Sequence, residues 1–95
     1  MSLGTYRFEG NPAHLKQAYN NMLDMIPHTN LHLHVCVPDD MGMWIYDTCP
    51  SREIFTTFSA SADFGNVFKG AGLPKPHVTP VGEVHAAFVA GKRSS

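Results

Sequence analysis

The sequence predicts one α+β domain of ferredoxin-like βαββαβ order, with a four-stranded antiparallel sheet and two helices on one face. Three observations lead to this prediction. Segments that alternate apolar and polar residues stand at the start, middle and end of the chain. Two segments with helical spacing lie between them. The 95 residues suffice for one domain and not for two, so we place the domain at 5–89 and a flexible tail at 90–95.

The first strand and the first helix have clear signals. Residues 5–9 alternate and place Tyr6 and Phe8 on one face. Asn11 is a good N-cap, and Pro12 suits the first helical position because its missing N–H would be unpaired there. An apolar stripe at helical spacing then runs up to Pro27, where we expect the helix to end, and consists of Leu15, Ala18, Tyr19, Met22, Met25 and Ile26.

A hairpin follows in the middle of the chain. Residues 31–37 alternate strictly, which predicts a half-buried strand whose polar side carries His32, His34 and Cys36. Residues 38–42 contain proline, aspartate and glycine, which favour a tight turn. Residues 43–48 then form the return strand.

The last third predicts a helix and a strand. Ser51 is a good N-cap, and the apolar face that follows consists of Ile54, Phe55, Phe58 and Ala62. We expect Asp63 to cap a further short helical segment, and Gly70 and Gly72 to end it before Pro74 and Pro76. Residues 77–89 form the last strand. Pro80 lacks a donor for the sheet, so this strand lies at an edge or carries a bulge.

Strand alternation also predicts which residues share a face of the sheet. The face under the helices is expected to carry Tyr6, Phe8, Leu33, Val35, Trp44, Tyr46, Val84, Ala86 and Phe88. The open face is then expected to carry Arg7, His32, His34, Cys36, Ile45, Asp47, Thr79, Val81, Glu83 and His85. This mixture of polar and apolar side chains suits an interface between two copies of the chain, and a small domain with a thin core gains from such an interface.

Composition excludes several classes of function. A net charge of −1 with 16% charged residues argues against a nucleic-acid partner, which requires a basic surface. No apolar run is long enough to span a membrane, and the chain starts without the apolar segment of a secretory signal. We therefore expect a cytoplasmic protein, with Cys36 and Cys49 as free thiols.

Four segments carry a resemblance to a known superfamily: residues 44–47 (Trp-Ile-Tyr-Asp), residues 51–58 with Phe55 and Phe58, residues 71–74, and Val84-His85. In these segments the chain resembles small actinobacterial-type members of the dimeric α+β barrel superfamily, which includes the antibiotic-biosynthesis monooxygenase-like proteins. The resemblance spans residues 6–89. It implies a homodimer with two sheets packed face to face, helices outside and a ligand pocket between sheet and helices.

The candidate catalytic residues are His34, Asp47 and His85, of which the two histidines match the resembled pattern. In the dimer that the resemblance implies, His34 of one subunit would meet His85 of the other, and Asp47 would orient His34 from the neighbouring strand. Two interpretations stay open. The group is either an acid/base or ligand site at the subunit boundary, or a hydrogen-bond network that fixes the dimer.

The candidate ligand-binding residues are Tyr6, Tyr19, Trp44, Tyr46 and Phe58, which would line an apolar pocket with a few hydroxyl groups. Ordinary core packing is the alternative. His32, His34 and Cys36 alternate along one strand, and three ligands in line fit a tetrahedral metal poorly, so we expect no metal and no cofactor.

These residues support two hypotheses of function. The first is a protein that binds or transforms a small aromatic or polyketide-like metabolite, as a cofactor-independent monooxygenase or isomerase would. The second is a structural or accessory dimer without catalysis. An enclosed cavity beside Trp44 and Tyr46 with a convergent polar group would favour the first hypothesis, and a filled core there would favour the second.

Overall fold

The computed structural model describes residues 1–26 and 32–94 as a sheet with helices and a small C-terminal hairpin. The elements are β1 (Ser2–Glu9), α1 (Pro12–Leu23), β2 (His34–Pro38), β3 (Gly42–Cys49), α2 (Arg52–Ser59), α3 (Ala62–Ala71), β4 (His77–Glu83), β5 (Phe88–Val89) and β6 (Lys92–Arg93). The four longer strands form an antiparallel sheet in the order β2-β3-β1-β4. The predicted α+β class with a four-stranded antiparallel sheet is confirmed, and the architecture is broadly ferredoxin-like.

Two of the predicted helix starts are confirmed by their caps. The Asn11 Oδ1 atom accepts hydrogen bonds from the backbone N–H of Ala13 at 3.0 Å and of His14 at 3.2 Å. The Ser51 hydroxyl oxygen accepts from the Ile54 N–H at 3.1 Å. These side chains pair amides that the first turn of a helix leaves without partners. The first helix ends at Leu23, earlier than its apolar stripe suggested. Pro27 and Leu31, on which two predicted boundaries rested, lie outside the described residues.

The segment between β3 and β4 holds two helices. The cap of α3 is Ser61, whose hydroxyl accepts from the Phe64 N–H at 3.3 Å, so the expectation that Asp63 caps this segment was wrong. The predicted stop at Gly72 is confirmed, since this residue has φ of 89° and ends α3 in the left-handed conformation.

The end of the chain also differs from the prediction. The last long strand, β4, stops at Glu83, whereas the sequence predicted a strand through residue 89. β5 lies at the end of the predicted strand and pairs with β6, which lies where the flexible tail at 90–95 was expected. Pro80 behaves as predicted, because β4 is an edge strand and its pairing with β1 shifts register at Leu3/Gly4, opposite Pro80.

The structure corrects part of the prediction of which strand residues lie under the helices. Tyr6 and Phe8 lie under the helices as expected, but they pair with Ile45 and Met43, and Ile45 pairs with Cys36. Met43 and Ile45 are therefore in the core, at 0% and 1% exposure. A shift of one residue moves a whole strand's side chains to the other face. On β2 and β3, the residues whose predicted face was wrong are His34, Val35, Cys36, Trp44, Ile45, Tyr46 and Asp47. On β4, Glu83 was also predicted on the wrong face, because it pairs with Ser2, on the same side of β1 as Tyr6.

The core lies between the helices and this face of the sheet. Side chains from all three helices, including Leu15, Phe55 and Phe64, pack against Tyr6 and Phe8. The contact between α2 and β1 requires a glycine, because a Cβ atom at Gly4 would lie 2.1 Å from the Phe55 ring. This packing brings the helices close to the sheet at Gly4. A cavity remains between helices and sheet on the β2–β3 side.

Candidate functional site

A cavity of about 350 Å³ lies between the sheet and the helices. Such a volume is at the small end of the range of roughly 300–1,000 Å³ that is typical of ligand pockets. Its apolar walls include Met22, Ile26, Ile45, Phe58, Val67 and Phe68. Its polar residues are Tyr6, His34, Asp47, Thr48 and Cys49. Apolar walls with a few polar groups on one side suit a small organic molecule.

His34 and Asp47 form the polar centre of this cavity. They are direct partners across the β2–β3 ladder, and the Asp47 Oδ1 atom lies 3.5 Å from His34 Nδ1. Their side chains are 11% and 18% exposed, so solvent screens the pair weakly. His34 Nδ1 is buried without a hydrogen-bond partner among the described residues. The geometry thus places an imidazole nitrogen and a carboxylate side by side at the cavity.

Tyr19, on α1, holds the other side of the His34 ring. Its hydroxyl oxygen lies 2.7 Å from His34 Nε2, and the two rings are stacked with an interplanar angle of 11°. Burial raises the pKa of Tyr19 to about 12, with smaller contributions from Cys36 and Asp47. The hydroxyl therefore stays protonated. With the His34 ring proton on Nδ1, towards Asp47, the hydroxyl donates to Nε2; with the ring proton on Nε2, the hydroxyl accepts. Tyr19 positions His34.

Tyr6 contributes a second hydroxyl from β1. Its ring packs against Phe55, Phe64 and Phe68, and the residue is 6% exposed. Burial raises its pKa, and Asp47 and Cys49 raise it further. The hydroxyl is therefore a neutral hydrogen-bond donor at neutral pH.

Both cysteines are free and partly buried. Burial raises the pKa of the Cys36 thiol, and burial followed by the charge of Asp47 raises the pKa of the Cys49 thiol. A raised pKa keeps a thiol protonated, so neither cysteine has the environment of a nucleophile. Cys49 was not predicted to lie at the site. Its alternate spacing with Ile45 and Asp47 on one strand was the signal that could have placed it there.

The predicted ligand-binding residues divide between the two faces of the sheet. Tyr6 and Phe58 line the cavity, and Tyr19 reaches it through His34. Trp44 and Tyr46 lie on the open face, where their rings stack 6.2 Å apart and the Arg7 guanidinium lies 4.9 Å from the Trp44 ring. The cavity is thus present, but it lies beside His34 and Asp47 and not beside Trp44 and Tyr46.

The predicted catalytic residues divide in a similar way. The structure brings His34 and Asp47 together on one face, as their predicted pairing requires. His85 lies beyond the end of β4 and is exposed. Because His34 is turned towards α1, the expected meeting of His34 and His85 across the open face loses its geometric basis. Among the described residues, no three His, Cys, Asp or Glu side chains are arranged to hold a metal ion.

Comparison of the chain with protein-family models, with curated proteins and with solved structures gives no match. Within the described ranges, no helix is long and apolar enough to cross a membrane. Function must therefore be argued from the cavity itself.

Proposed function

We propose that the protein binds a small aromatic or polyketide-like metabolite in the cavity between its sheet and its helices. The observation that carries this proposal is the cavity of about 350 Å³ with the His34–Asp47 pair in its wall. Burial of a carboxylate and an imidazole ring costs free energy, so the place of these two groups at the edge of a cavity favours a role other than core packing. Placed at a ligand, the same groups supply orientation or proton transfer.

The same groups favour proton transfer over oxygenation as the chemistry of an enzymatic role. His and Asp side chains are the common general acids and bases of enzymes. We propose two activities that need no cofactor. The first to test is an isomerase-like activity, and the second is a monooxygenase activity. The resemblance to the dimeric α+β barrel superfamily, which includes monooxygenase-like proteins, supports the aromatic or polyketide-like ligand class and a homodimer.

Calorimetric titration with tetralin, a two-ring apolar compound, tests the binding proposal. We expect saturable binding to the wild-type protein and much weaker binding to Val67→Phe, which fills the cavity from α3. The matched control is Val81→Phe, because Val81 is 57% exposed. Equal affinity of both variants, or no binding to the wild-type protein, would contradict the proposal.

A second candidate function, an accessory dimer without catalysis, is supported by the open face of the sheet. Val35 and Val37 on β2 are 42% and 44% exposed, and they neighbour the Trp44 and Tyr46 rings on β3. A contiguous apolar surface of this kind favours an interface with a second copy. The two candidates are compatible in one molecule, since the cavity and the open face lie on opposite sides of the sheet. Tetralin binding tests the first candidate, and the oligomeric state in solution tests the second.

A further inference from the structure

The Tyr6 hydroxyl is a donor that the protein itself does not use. Its residue is 94% buried, yet the hydroxyl has no hydrogen-bond partner among the described residues. Of the buried side-chain atoms in these residues, only His34 Nδ1 is both sealed and unpaired, so the Tyr6 hydroxyl oxygen meets the open space of the cavity that Tyr6 lines. A hydroxyl that faces an apolar-walled cavity without a protein partner is available to donate to an acceptor on a bound molecule.

The Asp47 carboxylate lies at the same cavity and accepts hydrogen bonds, whereas the Tyr6 hydroxyl donates them. It is an acceptor and a base, and His34 flanks it at 3.5 Å. A ligand that satisfies both groups presents an oxygen acceptor to Tyr6 and an acidic proton to Asp47. The surrounding walls are apolar on the remaining sides. These requirements exclude sugars and phosphates, because such molecules carry more polar groups than the cavity has hydrogen-bonding partners for.

We propose, on the basis of the proposed function, that the ligand is an enolisable ketone of one or two rings, with Tyr6 as donor to the carbonyl oxygen and Asp47 as base. Asp47 takes a proton from the carbon beside the carbonyl. The electron pair of that C–H bond forms a C=C bond, and the carbonyl π pair moves to oxygen, which accepts a hydrogen bond from Tyr6. Return of the proton from Asp47 to the same carbon, or to a conjugated one, restores a neutral ketone.

This step balances without an oxidant or a cofactor. Tyr6 acts where negative charge develops, on the enolate oxygen, and such a donor is most effective in a site that excludes water. The packing of Tyr6 against three phenylalanine rings fixes the hydroxyl before the ligand arrives. His34 is a positioning residue because it contacts Asp47, and Tyr19 is one because it bonds His34.

The test compares 2-tetralone with tetralin, which differ by the carbonyl group. We expect tighter binding of 2-tetralone, and faster exchange of its α-protons in D₂O, followed by proton NMR against a protein-free sample. Tyr6→Phe should bind tetralin as the wild type does, lose the preference for the ketone and slow the exchange by on the order of 100-fold. Asp47→Asn should reduce the exchange to the rate of the protein-free sample.

Matched controls are available on the same strand and at the neighbouring turn. Tyr46→Phe alters a tyrosine on the open face, and Asp40→Asn alters an exposed carboxylate, so both should exchange 2-tetralone at the wild-type rate. Equal affinity for the two compounds without catalysed exchange would overturn this inference and leave the proposed function standing. Absence of binding by either compound would overturn both. Exchange that survives in Tyr6→Phe at the wild-type rate would overturn the role of Tyr6.

Discussion

Asp47 lies directly opposite His34 across the β2–β3 ladder, with its Oδ1 atom 3.5 Å from His34 Nδ1. The pair is enclosed under α1, whose Tyr19 hydroxyl bonds the other ring nitrogen at 2.7 Å. Three ionisable or hydroxyl-bearing side chains from three elements thus form one connected group. Groups of this kind are coupled, so the effect of changing one depends on the others.

The first prediction concerns this coupling. The effect of Asp47→Asn on the free energy of unfolding should differ by at least about 0.5 kcal/mol between the wild-type and His34→Ala backgrounds. His34→Ala alone should cost about 1–3 kcal/mol, because the Tyr19 hydroxyl loses its partner. Urea denaturation at fixed protein concentration measures both. The control pair is His34 and His85, which should be additive because His85 is exposed. If the effects of His34→Ala and Asp47→Asn on the free energy of unfolding were additive, this would contradict the contact between the two side chains.

The second prediction concerns the open face of the sheet. Val37→Asp should preserve the fold and convert a dimer to a monomer, because Val37 is 44% exposed in the single chain. Ile45→Asp should instead prevent folding, since Ile45 is 1% exposed and a charge there would be buried without a partner. Light scattering and circular dichroism distinguish these outcomes. A wild-type protein that is monomeric at micromolar concentration would refute the dimer.

The third prediction concerns the thiols. Cys36 pairs with Ile45, and Cys49 lies four residues beyond Ile45, about 13 Å along β3. Because bridged cysteines need Cα atoms within roughly 7 Å, mass spectrometry without reductant should find no Cys36–Cys49 bond within a chain.

Alkylation provides a pH test of the same two thiols. Since the pKa of each thiol is raised, the alkylation rate with iodoacetamide should rise at higher pH than that of a free cysteine. Asp47→Asn should move the Cys49 profile towards lower pH by removing a neighbouring charge. Cys36 serves as the internal control, because Asp47 is not among the causes of its raised pKa. Identical Cys49 profiles in both proteins would contradict this prediction.

The fourth prediction concerns acid stability. The Arg7 guanidinium binds Asp39 through contacts of 2.7 and 3.1 Å, and this pairing, together with the Met41 N–H, lowers the pKa of Asp39 from 3.8 to about 2. A depressed carboxyl pKa stabilises the fold above the unfolded pKa, near 4, and this stabilisation disappears as pH falls towards 2. The melting temperature of Asp39→Asn should therefore depend less on pH between pH 4 and 2 than that of the wild-type protein. Asp40→Asn is the control, and equal profiles for both variants would refute the prediction.

Local sequence signals determined much of the fold. Asn11 and Ser51 defined two helix starts because their side chains satisfy backbone amides within three residues. Pro80 identified an edge strand because it lacks a donor. The placing of His34 and Asp47 on one face of neighbouring strands also followed from the sequence, since the turn at residues 38–42 sets the hairpin register.

Only the tertiary structure decided which face of that hairpin meets the helices. On β3, Met43 and Ile45 alternate with Trp44 and Tyr46, and both sets are apolar enough to be buried. Alternation therefore fixed the pairing of β2 with β3 but not the register of β3 against β1. A shift of one residue in that register exchanges the two faces of the strand. The packing of three helices on Tyr6 and Phe8 selected Ile45 for the core, and with it carried His34 and Asp47 from the open face to the cavity.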